Sequence, residues 1–221
     1  MVVPAAPLTD LCFAVIDVET TGLSPQIENV IEVGISVHRH GREQRSFSSL
    51  VGPAVPVPWF ITKLTGLRER DLATAPLFAD IVLPIARCFE GVDFVVAHNV
   101  GFDRAFVDVA FTECRRDLPP LVWIDPVPLA RQHLGFAKLT KVAAHYGVDA
   151  GRSHRALDDA RTTATILYRL AREMNLRTVA ELQRGAPIPT KPATSTTPAT
   201  TTTEAPSASP AVTKARLKPF V

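Results

Sequence analysis

Phe13-Ala14-Val15-Ile16-Asp17-Val18-Glu19-Thr20-Thr21-Gly22-Leu23 decides the fold of this chain. Cys12 to Ile16 are apolar and rich in β-branched residues, and Thr-Thr-Gly closes the run. That composition reads as a buried strand ending in a turn. Strand side chains alternate between faces, so Asp17 and Glu19 point the same way, about 7 Å apart. Two carboxylates on a central strand are costly to bury as anions. Either the strand end emerges into solvent, or a divalent cation of the Mg²⁺ or Mn²⁺ type offsets their charge.

Downstream, Val30 to Val37 reads as a second strand and Ser46 to Val51 as a third. The short connection at His40-Gly41 pairs them as a hairpin. Pro53, Pro56 and Pro58 interrupt regular structure. Trp59 to Leu64 and Arg68 to Leu72 suit short helices, and Phe78 to Phe89 has a helical rhythm. Asp93 to Ala97 is a fourth strand, Phe102 to Cys114 a helix and Leu121 to Ile124 a fifth strand. Helices are expected over Pro128 to Leu134, Lys138 to Tyr146, a long stretch from Ala156, and Val179 to Gln183. In the long helix, Leu157, Ala160, Ala164, Leu167, Ala171 and Met174 form the expected buried stripe. Strands first, then strands alternating with helices, argue for an α/β domain with a mixed sheet.

The order of composition marks a short N-terminal extension over 1–10, one domain over 11–185 and a tail over 186–221. Thr190 to Thr213 is almost wholly Thr, Pro, Ala and Ser, which cannot bury enough apolar surface to order itself. The basic end, Lys214 to Val221, reads as a frayed terminus or a docking peptide. The chain has 221 residues, 46% of them hydrophobic, and a net charge of +2. That charge implies no large basic surface. Three cysteines without C-x-x-C spacing suit reduced thiols in the cytoplasm. The first residues lack the pattern of a signal peptide, and no apolar run approaches the roughly 20 residues of a membrane helix.

Two further acidic sites follow. His98-Asn99-Val100-Gly101-Phe102-Asp103 lies where the fourth strand passes into a helix. Asp103 there is either a helix-dipole acid or a third carboxylate at the same sheet end as Asp17 and Glu19. Ser153-His154-Arg155-Ala156-Leu157-Asp158-Asp159 opens the long helix. Adjacent helical residues face about 100° apart. Asp159 shares a side with Ile166 and Leu170 and is the inward acid, whereas Asp158 faces water. His154, beside an acidic metal cluster, is a natural general base.

Together, Asp17-Val-Glu19-Thr-Thr-Gly, His98-Asn-x-x-Phe-Asp103 and His154-x-Ala-x-x-Asp159 resemble the three motifs of the DEDDh exonucleases. That family includes the proofreading epsilon subunit of bacterial DNA polymerase III. The resemblance runs from about Leu11 to Arg172. Trp59 to Leu67 with Ala75-Pro76, then Trp123-Ile124-Asp125 and Lys138-Leu139, resemble its other landmarks.

The resemblance implies a ribonuclease H-like fold, with a five-stranded mixed sheet flanked by helices. It implies a metal-dependent 3′-5′ exonuclease releasing 5′-mononucleotides from single-stranded or frayed 3′ ends, DNA before RNA. Two metal ions about 3.5–4 Å apart serve such chemistry; Mg²⁺ is expected, with Mn²⁺ also supporting it. By the same resemblance Asp17 bridges both ions, Glu19 and Asp159 complete one site, and Asp103 serves the second. His154 is the general base. Thr20, Thr21 and Gly22 let backbone and hydroxyl groups approach the terminal nucleotide, Leu23 and Phe102 pack on the last bases, and Asn99 belongs to the substrate-binding set. A DNA polymerase or repair partner is compatible with this, and no membrane is. The alternatives are a 3′-5′ exoribonuclease and a non-catalytic nucleic-acid-binding module. Under the latter Asp17 and Glu19 would stand as unpaired acids on a buried strand, which is physically awkward.

Overall fold

The computed structural model describes residues 7–151 and 154–184. The 186–221 tail, with its Thr-rich stretch and basic end, lies outside the described residues, as do residues 1–6 of the N-terminal extension. In chain order come β1 (Cys12–Thr20), β2 (Val30–Arg39), β3 (Arg42–Leu50), α1 (Trp59–Thr65), α2 (Glu69–Leu72) and α3 (Phe78–Cys88). They are followed by β4 (Phe94–Val96), α4 (Val100–Glu113), β5 (Val122–Ile124), α5 (Pro126–Leu134), α6 (Leu139–Tyr146), α7 (Ala156–Glu173) and α8 (Val179–Arg184).

The sheet order is β3-β2-β1-β4-β5. β1 pairs antiparallel with β2 and parallel with β4, so the first strand is central in space. Alternation along β1 divides the core. Leu11, Phe13 and Val15 face α5, α6, α7 and α8. Cys12, Ala14, Ile16 and Val18 face α3 and α4. Burying both faces explains why β1 and β2 are almost continuously apolar. This is the five-stranded mixed sheet flanked by helices that the resemblance implies.

Two expectations need correction. β3 begins at Arg42, four residues before Ser46. Its first half is exposed at the sheet edge, so its residues carry no apolar alternation by which to recognise it. The buried face of α7 is also broader than the expected stripe. Ala156, Asp159, Thr163, Ile166 and Leu170 are buried, whereas Leu157 and Met174 are only half-buried. A helix laid across a sheet and flanked by α5 and α6 buries more than one narrow row.

One contact brings α7 onto the sheet. Gly34 of β2 lies opposite Asp17 in register. A Cβ at Gly34 would sit 2.1 Å from the Ala156 carbonyl carbon and 2.1 Å from the Leu157 nitrogen. The bare backbone at this position lets the first turn of α7 rest directly on β2, beside the acids of β1.

Candidate active site

β1 outruns its parallel neighbour. Only Phe13 to Val15 pair with β4, so Asp17, Val18 and Glu19 extend past the carboxyl end of β4. Open α/β sheets place ligands beyond the carboxyl ends of their strands. Asp17 and Glu19 continue the face that carries Phe13 and Val15, towards α7, and both are half-buried.

The remaining acids arrive from two helices. α4 starts at Val100, after Asn99 turns the backbone through a left-handed φ of 80°. That turn sets Asp103 into the interior, 3% exposed, where its Oδ1 accepts the Val18 N–H at 3.0 Å. From the other side α7 delivers Asp159, 8% exposed, whose Oδ2 accepts the His154 N–H at 3.0 Å. His154 itself has a φ of 61°. A ligand atom from each of Glu19, His154 and Asp159 lies within 4.8 Å of the others.

The electrostatics show how tightly these groups converge. Burial pushes the Asp17 carboxyl well above its ordinary range, and the charges of Asp103, Glu19, Asp159 and Glu32 push it further. Glu19 is raised to about 8, first by burial and then by Asp159, Glu32 and Asp103. Burial also raises Asp103 to about 8, against the Val18 hydrogen bond, which lowers it. Asp159 is raised by burial, with the His154 N–H pulling the other way. Four carboxylates sharing one desolvated site repel one another when ionised. Hard oxygen donors with one imidazole fit a divalent cation, and the repulsion that burial creates is what such a cation relieves.

The expected substrate residues lie on the turn after β1 and at the start of α4. Thr20 and Thr21 are buried, and both hydroxyls are used inside the turn. Thr20 Oγ1 donates to the Gly22 carbonyl at 2.6 Å. Thr21 Oγ1 donates to Glu28 at 2.5 Å and accepts the Asn29 N–H at 2.9 Å. These bonds also give the hydroxyls a structural task, because a tight turn at a sheet end must satisfy its own polar groups. Gly22 packs so closely on Glu28 that a Cβ would fall 2.7 Å from its carboxyl carbon. Leu23 stands out from the turn, 83% exposed. Phe102 is half-buried against Phe106, ring centres 5.0 Å apart, and Asn99 is exposed. Asp158, expected to face water, is half-buried beside Gly151.

Two supporting acids, Asp125 and Glu32, have tasks that local sequence did not assign. Asp125 holds the start of α4, accepting the Asn99 N–H at 3.1 Å and the Val100 N–H at 3.3 Å while capping α5 through Val127. Its signal is an Asp-Pro step directly after a strand, the pattern of an N-cap before a first-turn proline. Glu32 is 1% exposed in β2 and opposes Glu19 in register. It forms an ion pair with Arg155 at 2.8 Å. Its signal is a single acid inside the apolar run Val30 to Val37. A cavity of about 570 Å³ lies against Phe13, His38 and Tyr168, near the opposite end of β1, and touches none of Asp17, Glu19, Asp103 and Asp159.

Comparison with known proteins bears on the family and the fold. The profile of the family described as Exonuclease matches residues 14–167. The DNA polymerase III PolC-type of Clostridium perfringens is 37% identical over 177 residues, 77% of this chain and 12% of that protein. The 3′-5′ exonuclease DinG of Staphylococcus saprophyticus is 33% identical over 159 residues, 71% of this chain and 18% of that protein. The chain thus spans less than a fifth of the length of these two relatives. Among solved structures, Exonuclease X in complex with 5′ overhanging duplex DNA superposes with a TM-score of 0.62 at 24% identity, covering 77% of this chain and 96% of that one. The nuclease domain of 3′hExo, a DEDDh family member bound to rAMP, superposes with a TM-score of 0.65 at 21% identity, covering 76% and 95%.

Proposed function

The chain belongs to the exonuclease family, and we propose that it removes nucleotides one at a time from nucleic-acid 3′ ends, DNA in preference to RNA, as 5′-mononucleotides. The observation that carries this is the convergence of Asp17, Glu19, Asp103 and Asp159, from one strand and two helices, beside His154. The preference for DNA is supported by the polymerase named among the curated relatives.

The four carboxylates are the groups that would hold divalent cations, Mg²⁺ foremost and two per site. Bound there, such cations supply neutralisation of the scissile phosphate and an acidified water. This chain's residues do the rest. An imidazole nitrogen of His154 accepts a proton from the attacking water. The water oxygen forms a new bond to phosphorus as the bond to the 3′ oxygen of the preceding nucleotide breaks. That oxygen takes up a proton, leaving a shortened strand with a free 3′-OH. The Thr20-Thr21-Gly22 turn lets backbone and hydroxyl groups approach the terminal nucleotide, and Leu23 and Phe102 offer apolar surfaces to its base. Asn99, at the entrance to α4, completes the substrate-binding set.

Residues 11–185 are the catalytic unit in this reading. The free thiols Cys12, Cys88 and Cys114 support a cytoplasmic setting. No helix among the described residues is long and apolar enough to cross a membrane. A DNA polymerase or repair partner fits this reading, and the polymerase named among the curated relatives supports the former.

The test uses 5′-labelled and 3′-labelled 20-mers of DNA and RNA with Mg²⁺, Mn²⁺ or chelator. Metal-dependent shortening from the 3′ end, faster on DNA, is the expected result. A folded protein that leaves both polymers intact in either metal overturns the assignment.

A further inference from the structure

Glu32 is buried, charged and close to the acids, yet no step of the reaction uses it. Its carboxylate is engaged by the segment that carries His154. Arg155 Nε donates to Glu32 Oε1 at 3.0 Å and to Oε2 at 3.2 Å. Arg155 donates again through an Nη to Oε1 at 2.8 Å. The Ala156 N–H donates to Oε2 at 3.3 Å. A planar guanidinium in this forked geometry restricts direction as well as distance.

The segment needs such a restraint. His154 sits at a φ of 61°, in the left-handed region that side chains other than glycine avoid. Arg155 is the N-cap of α7, and its side chain makes no capping bond to its own helix. A strained residue ahead of an uncapped helix persists only where its surroundings hold it. Here the cap comes from outside the helix. Glu32 holds Arg155 and Ala156 from β2, while Asp159 holds the His154 N–H from within α7. Gly34, two residues along the same face of β2, lets the helix start come close enough for Glu32 to reach it.

We infer that the Glu32–Arg155 pair is a positioning device that sets the place of His154 relative to Glu19 and Asp159. The inference rests on the proposed hydrolysis for its kinetic consequences and on the fold alone for its structural ones. Glu32 acts through His154 and touches no reacting atom. Losing the clasp leaves the base present but misplaced, and misplacement of about 1 Å costs on the order of 100-fold in rate.

Glu32→Gln is the appropriate change, because it keeps the shape and leaves no unpaired charge in the interior; Arg155 is 29% exposed and can be hydrated. The full chain is assayed on a 5′-labelled single-stranded DNA 20-mer with saturating Mn²⁺, as wild type, Glu32→Gln, His154→Ala and the double variant. Glu32→Gln is expected to lower kcat by roughly 10- to 100-fold with KM within about 2-fold, and to change kcat by less than about 2-fold in the His154→Ala background. An unchanged kcat in Glu32→Gln, or the same proportional loss in both backgrounds, overturns the proposal. A second readout is amide hydrogen exchange in metal-free protein. Glu32→Gln should speed exchange at His154 and Ala156 by about 10-fold or more while leaving Val33 and Ile35 protected. Unchanged exchange at His154 and Ala156 overturns the clasp even if no hydrolysis is seen. Absence of hydrolysis in wild type with the exchange result intact overturns the proposed function and leaves the clasp standing.

Discussion

Asp103 is fastened to the central strand by one bond, its Oδ1 accepting the Val18 N–H at 3.0 Å. That bond substitutes for the ladder partner that β4, ending at Val96, does not provide. It is also the reason an acid from α4 lies beside Asp17. Asp103→Asn keeps the acceptor and removes the charge. It is expected to fold with a melting temperature in chelator at or above wild type, and to lose at least about 100-fold in hydrolysis. Asp103→Ala leaves the Val18 N–H without a partner, a loss of about 1–3 kcal/mol in urea unfolding. Equal stability of the two variants would dissociate Asp103 from the strand.

Removing metal should be visible in stability as well as in rate. Asp17 is the acid most surrounded by other acids. Mn²⁺ at about 100 times its dissociation constant stabilises a folded protein by about 2.7 kcal/mol if it binds the native state alone. Wild type is therefore expected to melt higher in Mn²⁺ than in chelator, and Asp17→Ala to show no such rise and no hydrolysis. In chelator, Asp17→Ala should melt no lower than wild type, because it relieves carboxylate repulsion. Residual wild-type turnover in that variant would remove Asp17 from the metal set.

In the proposed reaction His154 takes a proton from the attacking water. His154→Ala should reduce kcat by about 100- to 10,000-fold, the usual range for a general base. The dissociation constant for a DNA 20-mer, measured by fluorescence anisotropy in Ca²⁺, should stay within about 3-fold of wild type. Loss of binding with kcat preserved would give His154 a different task.

The other end of the sheet contributes a loss of stability in acid, opposite in sign to the contribution of the raised site carboxylates. His38 is buried, stacked on Phe13 at 5.4 Å, and burial lowers its pKa below the ordinary 6.5. Below that value the unfolded chain takes up the proton and the folded chain resists it. The unfolded state then binds more protons, so stability falls as pH drops from about 6.5 towards the folded pKa. His98 is shifted in the same direction by burial and adds to the trend. Urea midpoints at pH 7.5 and 5.5 should differ less in His38→Gln than in wild type. An identical pH difference in the two proteins would rule out the His38 contribution.

Gly34 has no room for a side chain. Gly34→Ala would drive a methyl group into the backbone of Ala156 and Leu157, both 2.1 Å from its carbon. Overpacking of this kind costs typically 1–3 kcal/mol, and contact with backbone belongs at or above the top of that range. A urea midpoint within error of wild type would show that α7 can lift off β2 at no cost.

How much of this was legible in the chain depends on the kind of signal each part leaves. Local patterns identified β1 and the order of the other elements, and singled out the five acid and base positions on which the proposed reaction rests, because alternation, helical period and motif spacing are properties of neighbouring residues. The inward turn of Asp159 also followed from helical phase alone. The exposed start of β3 left no apolar pattern, and the width of the α7 face depended on packing partners distant in sequence. The fate of the Thr20 and Thr21 hydroxyls depended on Glu28 and Asn29 folding back over the turn. Glu32 was visible as an odd acid in an apolar strand, but its partner lies 123 residues away in Arg155. Sequence by itself determined the family, the order of strands and helices, and the groups that the proposed chemistry draws on. Only the tertiary structure decided what holds them in place, because hydrogen bonds and close contacts between distant segments follow from chain topology and leave no trace in local spacing.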